Sequence, residues 1–494
     1  MNLIVSPDWF PKLQELEVLN CPQFSSLVLI SWTESMRRVT MDGIKLLRRF
    51  AYSKASDGVE LSIIGNDALH SLDQVLVFDK ETCLEKLRLI SCPPLELKHL
   101  LMLTSLKTLT VESSDGLVEP LKRQGEVEWQ LPVECIEINR LNGNSGKELT
   151  ALLPHLPRLS KLEIIECKNI KQLVVGVDLQ QTTPVTSEIE EDEITAAEEE
   201  NDDGVLLLPI QLCDSLRELE FDGCSEMVLV DPPTHVPGGG WLQALRCVQR
   251  LRIEGSTKFL STFFFSCHMF PSSLQFLSLK EVEGLGTLEP LSNLSSLTRL
   301  ELWNCGRDLK CQGLWSLLTT GGQLNELKVL GSPRFFAAWD PNPKLALDDV
   351  GGEEWREQLA SSTLRGLCTD YATGLLTAPI CSFLSSLTEL ELLGYGFEGM
   401  EHFSNEQEDA LQLLSSHQQL KFSNFHNIQQ LPAGLRNLTC LKLLSIRVCP
   451  AISSLPSDGL PESLQELNVE FCYNQELKQQ CRELVGTIPK VSIR

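Results

Sequence analysis

The sequence is poor in aromatic residues and in positive charge, and it lacks long apolar runs. Aromatic residues make up 6% of its 494 residues. Lysine and arginine number 42 against 67 aspartate and glutamate, so the formal net charge is −25. Proteins that neutralise nucleic-acid phosphates need a basic face, so this balance argues against nucleic acid as a direct partner. No stretch reaches the roughly 20 apolar residues that span a bilayer, so no membrane segment is predicted.

Motifs of common catalytic and cofactor sites are also missing. The sequence contains no His-Glu-x-x-His, no Gly-x-Ser-x-Gly and no Cys-x-x-Cys, which are typical of zinc peptidases, serine hydrolases and metal or redox sites. Gly143-Asn-Ser-Gly146-Lys147 lacks the spacing and the hydroxyl of a phosphate-binding loop, which favours a turn. We therefore predict no catalytic residue, no cofactor and no metal, and a protein that is not an enzyme.

One short sequence motif, called the phrase below, recurs along most of the chain. In its clearest copy, leucines stand at Leu297, Leu300 and Leu302, and a cysteine follows at Cys305. Copies that also admit Ile, Val, Met or Phe begin at positions 13, 36, 84, 106, 133, 159, 216, 248, 274, 297, 324, 387, 441 and 464, and weaker copies begin near 56, 364 and 417. Starts such as 274, 297 and 324 follow one another at the spacing of about 20–29 residues that is typical of leucine-rich repeats.

Each repeat supplies a short strand and a returning arm that cannot bury its own apolar face. Alternate side chains of a strand point to opposite faces, so Leu300 and Leu302 are predicted to face inward, and only stacked neighbours complete the core. The predicted fold is an α/β solenoid: a leucine-rich-repeat horseshoe with a parallel concave β-sheet and an irregular or short-helical convex side.

The regular spacing of the repeat starts is interrupted in three places. We predict N-terminal repeats over 1–177 with a start that looks truncated, an acidic disordered insertion over 178–205, and C-terminal repeats over 206–494 with a looser insertion near 335–360. Ten acidic residues and no lysine or arginine lie between 188 and 203, which is typical of a solvated, disordered segment. Between 36 and 82 the register stays open, because phrases at 36, 56 and 72 compete. The copies at 72 and 84 are too close for both to be strands.

Position explains the cysteines better than pairing does. Seven of the 17 occupy one slot, three residues after the last apolar strand position. They are Cys21, Cys92, Cys167, Cys224, Cys305, Cys449 and Cys472. Leucine-rich repeats admit Asn or Cys in this slot, so we predict structural turn cysteines whose small, buried thiols face the turn backbone. The odd count and the absence of a basic, apolar leader favour reduced thiols and a cytoplasmic protein.

The outward strand positions are where a protein partner would bind. One row of them is mixed in charge, as solvated sheets commonly are. The next row is apolar at Leu19, Ile90, Ile165, Trp303, Leu330 and Leu393, and exposed apolar groups in register indicate a binding strip. Inserted loops could instead cover this strip. Since Trp and Arg dominate binding hot spots, Trp303 with Arg299 and Lys328 is the leading candidate. The other predicted protein-binding residues are Glu301, Leu330, Arg252, Ile165, Glu391 and Leu393.

The C-terminal repeats resemble a known family. The residues from Leu441 to Pro456 follow the pattern Leu-x-x-Leu-x-Ile-x-x-Cys-Pro-x-Ile-x-x-Leu-Pro. This motif is similar to the repeat of plant intracellular nucleotide-binding leucine-rich-repeat disease resistance proteins. The segment from Leu460-Pro461 through Cys472 and Cys481 to Ile488-Pro489-Lys490-Val491 resembles the closing segment of cereal members. The resemblance covers nearly the whole chain apart from the acidic insertion.

The resemblance implies the sensor half of an immune receptor. Such a module recognises a pathogen effector or a guarded host protein and restrains a nucleotide-switch ATPase. The sequence departs from the family because neither the coiled coil nor the ATPase is present in it. A possible partner is therefore a separate nucleotide-binding receptor half. The alternative is a non-catalytic scaffold or substrate adaptor, although no docking element such as an F-box is found. An extracellular receptor is a third and weaker possibility.

Overall fold

The structure is a computed structural model, and the chain divides into two compact units. It describes residues 12–23, 35–56, 58–76, 84–120, 129–177, 204–230, 241–261, 269–319, 321–339, 362–395 and 400–494. Unit 1 is Met1–Thr262 and unit 2 is Phe263–Arg494. The predicted boundaries at 177 and 205 stay predictions, because residues 178–203 lie outside the described part of the chain.

Unit 1 contains 13 named strands. They are β1 (Glu15–Leu19), β2 (Arg38–Asp42), β3 (Leu47–Ala55), β4 (Gly58–Gly65), β5 (Lys86–Ile90), β6 (Thr108–Glu112), β7 (Cys135–Asn139), β8 (Lys161–Ile165), β9 (Gln172–Val177), β10 (Val205–Pro209), β11 (Glu218–Asp222), β12 (Val228–Val230) and β13 (Arg250–Glu254). In the main sheet, β4 to β8 pair in parallel in chain order, followed by β11 and β13. A small parallel sheet has the order β10-β9-β12.

Unit 2 carries an uninterrupted parallel ladder. Its strands are β14 (Phe276–Lys280), β15 (Arg299–Trp303), β16 (Glu326–Leu330), β17 (Gly366–Thr369), β18 (Glu389–Leu393), β19 (Gln419–Ser423), β20 (Leu443–Arg447), β21 (Glu466–Glu470) and β22 (Lys490–Ile493). Each pairs in parallel with the next one. Apart from β22, every strand begins two residues after a predicted repeat start. The leucine-rich-repeat solenoid predicted from the sequence is therefore confirmed as the fold.

Strand β3 departs from the predicted all-parallel sheet. It pairs antiparallel with β2 on one side and with β4 on the other. Chain length explains this arrangement, since parallel neighbours need a crossover of about a dozen residues or more. Only positions 56 and 57 separate Ala55 from Gly58, and only 43–46 separate Asp42 from Leu47. The phrase at 56 is thus the strand β4. The phrase at 72 is a 3₁₀ turn, Leu72–Gln74.

The returning arms contain short helices. The α-helices are α1 (Leu97–Met102), α2 (Ser145–Leu152), α3 (Leu314–Leu318), α4 (Ala372–Leu375), α5 (Ala378–Phe383), α6 (Asn405–Gln412) and α7 (Gln475–Glu483). The 3₁₀ turns besides Leu72–Gln74 are Leu153–His155, Ile210–Asp214, Trp241–Ala244, Glu289–Leu291, Phe335–Ala338 and Ala433–Asn437. Throughout the described ranges, every helix is too short or too polar to cross a bilayer.

Only a few residues of the two predicted insertions, 178–205 and 335–360, belong to the described part of the chain. Val205, the last residue of the predicted acidic insertion, is the first residue of β10. In the looser insertion, Phe335–Ala338 forms a 3₁₀ turn and positions 340–361 lie outside the described residues. The Trp339 ring lies 5.4 Å from the Phe383 ring, centroid to centroid. Trp339 therefore packs against the last residue of α5.

Close backbone packing accounts for the glycines of the 143–148 segment. A Cβ atom at Gly143 would lie 2.2 Å from the Asp115 carbonyl oxygen, and one at Gly146 would lie 2.7 Å from the Val205 carbonyl oxygen. Gly146 belongs to α2 and not to the predicted turn, and it is buried. Both glycines are therefore required by neighbouring backbone.

Six of the seven turn cysteines are buried, as predicted. The Cys305 thiol donates to the Leu279 carbonyl of the preceding repeat at 3.1 Å, and Cys92, Cys224, Cys449 and Cys472 make the same kind of bond at 3.6–3.7 Å. Burial raises the pKa of the Cys305 thiol to about 11 and that of Cys449 to about 12. These thiols are therefore poor nucleophiles.

Cys21 does not fit the prediction of a buried thiol, because it is exposed. The inward-facing Leu16 and Val18 of the same repeat are only half-buried. Among the described residues, β1 has a strand neighbour on one side only, which is β2. A repeat with one neighbour cannot bury its turn as completely as a repeat with two.

Candidate protein-binding surface

The outward face of the unit 2 sheet is built from three rows of side chains, defined here by the strand β15. Leu300 and Leu302 of β15 are fully buried, so Arg299, Glu301 and Trp303 point the other way. The parallel register places Glu326, Lys328 and Leu330 of β16 beside them. Five residues predicted to bind protein, Trp303, Arg299, Glu301, Lys328 and Leu330, thus lie on two adjacent strands.

Trp303 is the centre of this cluster. Its side chain is 38% exposed, an unusual position for a tryptophan. The Lys328 ammonium lies 5.5 Å from the centroid of the ring, and the Lys280 ammonium lies 5.8 Å from it. Both distances are within the range of cation–π attraction. The two lysines come from the strands on either side of β15, and they orient the indole while leaving much of it open to a partner.

Arg299 is held by its neighbours. Its guanidinium lies 2.7 Å from a Glu301 carboxylate oxygen and 3.1 Å from a Glu326 oxygen, and the hydrogen bond to Glu301 raises the pKa of Arg299. Such half-exposed ion pairs contribute little to stability, since double-mutant measurements give about 0–1 kcal/mol. Their effect here is to fix the geometry of the surface beside Trp303.

Leu330 and Leu393 are buried, in contrast to the expectation that their row is exposed. Their side chains are 2% and 7% exposed. They lie in the floor of a groove of about 300 Å³ whose lining also includes Trp303, Tyr395 and Arg447. Asp370, which follows β17 between them, is buried as well, and its carboxylate accepts a hydrogen bond from the Gly331 N–H at 2.7 Å. Burial raises the pKa of Asp370. The two leucines therefore offer little exposed area of their own.

A second groove lies over β17, where the outward side chains are small. Gly366 stands where β16 and β18 carry Glu326 and Glu389, and Cys368 stands where they carry Lys328 and Glu391. The missing bulk leaves a groove of about 320 Å³. It shares Lys328, Cys368 and Glu391 with the groove beside Trp303. The two grooves therefore meet along β17.

The walls of the β17 groove carry both signs of charge. Glu389 accepts from the Gln419 amide at 3.1 Å, and Glu391 accepts from the Ser423 hydroxyl at 3.4 Å. Burial raises the pKa of the Cys368 thiol to about 12, and the negative charge of the Glu391 carboxylate contributes to this rise to a smaller extent. This thiol is thus a neutral part of the groove floor. The predicted binding residues Glu391 and Leu393 both belong to β18, on the far side of the groove from Trp303.

Sequence reasoning missed the residues of β17. Gly366, Cys368 and Asp370 belong to the weakest repeat of unit 2, whose third apolar position is Thr369. The sequence shows that this repeat departs from the leucine pattern. Whether the departure opens a groove depends on the size of the side chains on both neighbouring strands.

Ile165 and Arg252, the other two predicted binding residues, belong to unit 1. Ile165 is half-buried at the end of β8. The Arg252 guanidinium lies 3.6 Å from Glu220 and 3.7 Å from Glu254. The register places Ile165 beside Asp222 and Arg252 beside Glu220, so the strand β11 separates them. These two residues are thus in a different unit from Trp303.

One group of side chains in unit 1 has the composition of a metal site. Asp73, Glu96 and His99 bring their ligand atoms within 4.8 Å of one another. However, the Lys98 ammonium already hydrogen-bonds Asp73 and lies 2.9 Å from Glu96. His99 uses both ring nitrogens: one accepts the Glu96 backbone N–H at 3.1 Å and the other meets Asp73 at 2.8 Å. A cation is therefore already supplied by the chain, and the group fits a helix cap better than a metal.

Comparisons with known proteins do not define a family for the chain. No model of a protein family matches the chain, and no curated protein matches it. A solved leucine-rich-repeat protein from Leptospira interrogans is 18% identical, with a TM-score of 0.32, and the match covers 79% of this chain and 90% of that one. The structure of the Toll–Spätzle complex, from Drosophila, matches at 14% identity with a TM-score of 0.45, over 85% of this chain and 52% of that one.

The fold is that of a leucine-rich-repeat solenoid. This conclusion rests on the repeat register of the strands and on the buried leucines between them, and the likenesses to solved structures add no argument about function. Solenoids of this kind present extended surfaces that bind other proteins. The outward face of unit 2, with Trp303 and the two grooves that meet along β17, is the candidate surface in this chain.

Proposed function

We propose that the chain is the protein-recognition and regulatory module of a plant intracellular immune receptor, which binds a pathogen effector or a guarded host protein. The support for the plant family is the resemblance of Leu441 to Pro456 and of the closing segment to the repeats of such receptors. The support for recognition is the outward face of unit 2. In this proposal the module acts in the cytoplasm and restrains a nucleotide-binding receptor half until a ligand binds.

The observation that carries the recognition role is the environment of Trp303. An indole that is 38% exposed and held between two lysine ammonium groups is a pre-organised anchor, because little side-chain freedom remains to be lost on binding. A groove lies directly beside it and can accept a side chain of a partner. The partner in this proposal is a protein, since the net charge of −25 disfavours nucleic acid.

Replacing Trp303 by alanine is expected to weaken partner binding by about tenfold or more, the usual loss at a hot spot, while folding is retained. The test is affinity capture from plant leaf extract with the parent chain and the Trp303→Ala variant, quantified by mass spectrometry, with a thermal melt of each. Val485→Ala, which truncates another exposed apolar side chain of unit 2, is the control. A large fall in melting temperature for Trp303→Ala would make Trp303 a core residue and contradict the proposal.

Filling the β17 groove is a second test of the same surface. Gly366 has an ordinary backbone conformation, and a Cβ atom there would lie 3.6 Å from the nearest side-chain atom, in Glu326. Gly366→Leu is therefore expected to fold normally and to block the groove, lowering partner capture by about tenfold. Gly366→Ala, which adds only a methyl group, should bind nearly as well as the parent. Equal capture by all three chains would show that the groove is not used.

The proteins captured distinguish the immune-receptor proposal from its alternative, a scaffold or substrate adaptor. A sensor would be supported if both the parent chain and Trp303→Ala capture a nucleotide-binding receptor half, and if a further protein, the ligand, is captured by the parent chain but not by Trp303→Ala. Recovery of ubiquitin-ligase subunits would favour the adaptor. The described structure is compatible with both, and the repeat resemblance is the specific observation that favours the sensor.

A further inference from the structure

The residue directly after each strand adopts a left-handed backbone conformation in most repeats. All ten non-glycine residues with positive φ in the described chain occupy this slot. They are Asn20, Ser91, Ser113, Arg140, Glu166, Glu281, Asn304, Asn424, Val448 and Phe471. The N–H group in the slot donates to the neighbouring repeat, as from Asn424 to the Arg447 carbonyl at 2.9 Å. The ladder therefore requires this conformation, and glycine or asparagine satisfies it best.

Val448 and Phe471 are the least suitable members of the set. Both have φ of 52°, and a β-branched or bulky residue in the left-handed region is a genuine outlier. Both N–H groups are committed to the ladder, to the Glu470 carbonyl at 2.9 Å and to the Arg494 carbonyl at 3.1 Å. Neither residue can relax its backbone without losing that bond. Two consecutive repeats thus hold a strained apolar residue.

Burial does not compensate for the strain at Phe471. Phe471 is 47% exposed and Tyr473, two residues further on, is 75% exposed, whereas Cys472 between them is fully buried. The Phe471 ring has the Arg447 guanidinium 6.0 Å from its centroid, a contact at the limit of cation–π attraction. Strain that is retained without a packing reward is typical of functional surfaces.

The strained residues lie side by side. Arg447 and Glu470 are partners in the β20–β21 register, so Val448 and Phe471, which follow them, are adjacent. Val448 and Arg447 also line the end of the groove that begins at Trp303. We call the surface formed by Val448, Phe471, Tyr473 and Arg447 the turn patch. It is continuous with the candidate binding surface and adds exposed aromatic area to it.

Arg447 and Lys478 place two positive charges at the turn patch, against the one carboxylate of Glu470. Arg447 lies 3.9 Å from the Glu470 carboxylate, a distance at the limit of an ion pair. The Lys478 ammonium of α7 lies 3.5 Å from the Arg494 carbonyl oxygen, which also accepts the Phe471 N–H. Two basic side chains beside an apolar centre, in a chain with a net charge of −25, are a local exception, and they are complementary to carboxylates.

We infer that the turn patch is a docking site for an extended segment of a partner protein in which an apolar side chain is flanked by aspartate or glutamate. The apolar side chain packs on Phe471 and Val448, and the acidic residues face Arg447 and Lys478. The inference deepens the proposed protein recognition and rests on it only in requiring a protein partner. Trp303 is not needed for the contact.

The test selects binders from a displayed library of random peptides, using the full chain as bait. The selected peptides should contain an apolar residue between acidic ones, and binding measured by fluorescence anisotropy should fall about tenfold or more for Phe471→Asn. Asparagine tolerates the left-handed conformation, so the melting temperature of Phe471→Asn should equal or exceed that of the parent. Val485→Ala should bind like the parent.

The inference would be overturned by a lower melting temperature for Phe471→Asn, by selected peptides without the apolar and acidic pattern, or by peptide binding that Phe471→Asn leaves unchanged. Trp303→Ala should keep peptide binding, so a failure of the proposed function at Trp303 is separable from a failure at the turn patch. Self-association of the parent chain that Phe471→Asn abolishes, seen by sedimentation, would assign the patch to a second copy and equally contradict the inference.

Discussion

Replacing Leu300 by alanine is expected to lower the free energy of unfolding of unit 2 by about 2–5 kcal/mol, the usual range for truncation of a buried leucine. Leu300 is fully buried on β15, and its register partners Leu277 and Leu327 are buried on the two adjacent strands. The truncation removes apolar contacts from three repeats at once. Because each repeat of a solenoid contacts only its neighbours, the damage should concentrate around β15.

Chemical denaturation measures the loss, and native-state hydrogen exchange locates it. Amide protection should fall most in β14, β15 and β16 and least in unit 1. Leu413→Ala is the matched control, since it removes the same atoms from a leucine that is 40% exposed, and it should cost much less. Equal unfolding midpoints for Leu300→Ala and the parent would remove Leu300 from the core and with it the assignment of the outward rows.

Acid is expected to destabilise unit 2 through His417. This residue occupies the first position of its repeat, where neighbouring repeats have Leu387 and Leu441, and it is 1% exposed. Neither ring nitrogen has a hydrogen-bond partner. Burial lowers the pKa of His417 from 6.5 to about 4. The folded state therefore binds a proton less readily than the unfolded state.

The sign of the pH dependence follows from that difference. Above pH 6.5 the ring is neutral in both states and the stability is fully present. As the pH falls from 6.5 towards 4, the unfolded state takes up the proton first, and about 3 kcal/mol is lost over this window. Below pH 4 this residue adds no further loss.

The measurement compares the stability of the parent and of His417→Leu across this pH range. The variant should be more stable at neutral pH by about 1–3 kcal/mol, because two unsatisfied buried nitrogens are removed, and the advantage should grow as the pH falls to 4. His426→Leu, at an exposed histidine, should follow the parent curve. A His417→Leu curve parallel to the parent at all pH values would show that His417 is not the acid-sensitive group.

The sequence alone determined where the repeat strands are and which of their residues form the core, although it did not predict β3, β9, β10, β12 or β22. Leucine at alternate positions, repeated at solenoid spacing, has one structural solution, because each inward side chain needs a stacked neighbour. The same register located six buried turn cysteines. It failed at Cys21, whose strand β1 has a strand neighbour on one side only among the described residues. The repeat resemblance also came from sequence, and the immune-receptor function that it implies stays a proposal.

Only the tertiary structure decided which outward residues are available. Leu330 and Leu393 occupy the same row as Trp303, yet the two leucines are buried and the indole is exposed. The groove over β17 exists because Gly366 lies between two glutamates that are distant in sequence. Side-chain exposure on a sheet depends on cross-strand neighbours, and those neighbours are brought together by stacking. The periodicity of a single strand therefore predicts its inward face, whereas its outward face is settled by the assembled repeats.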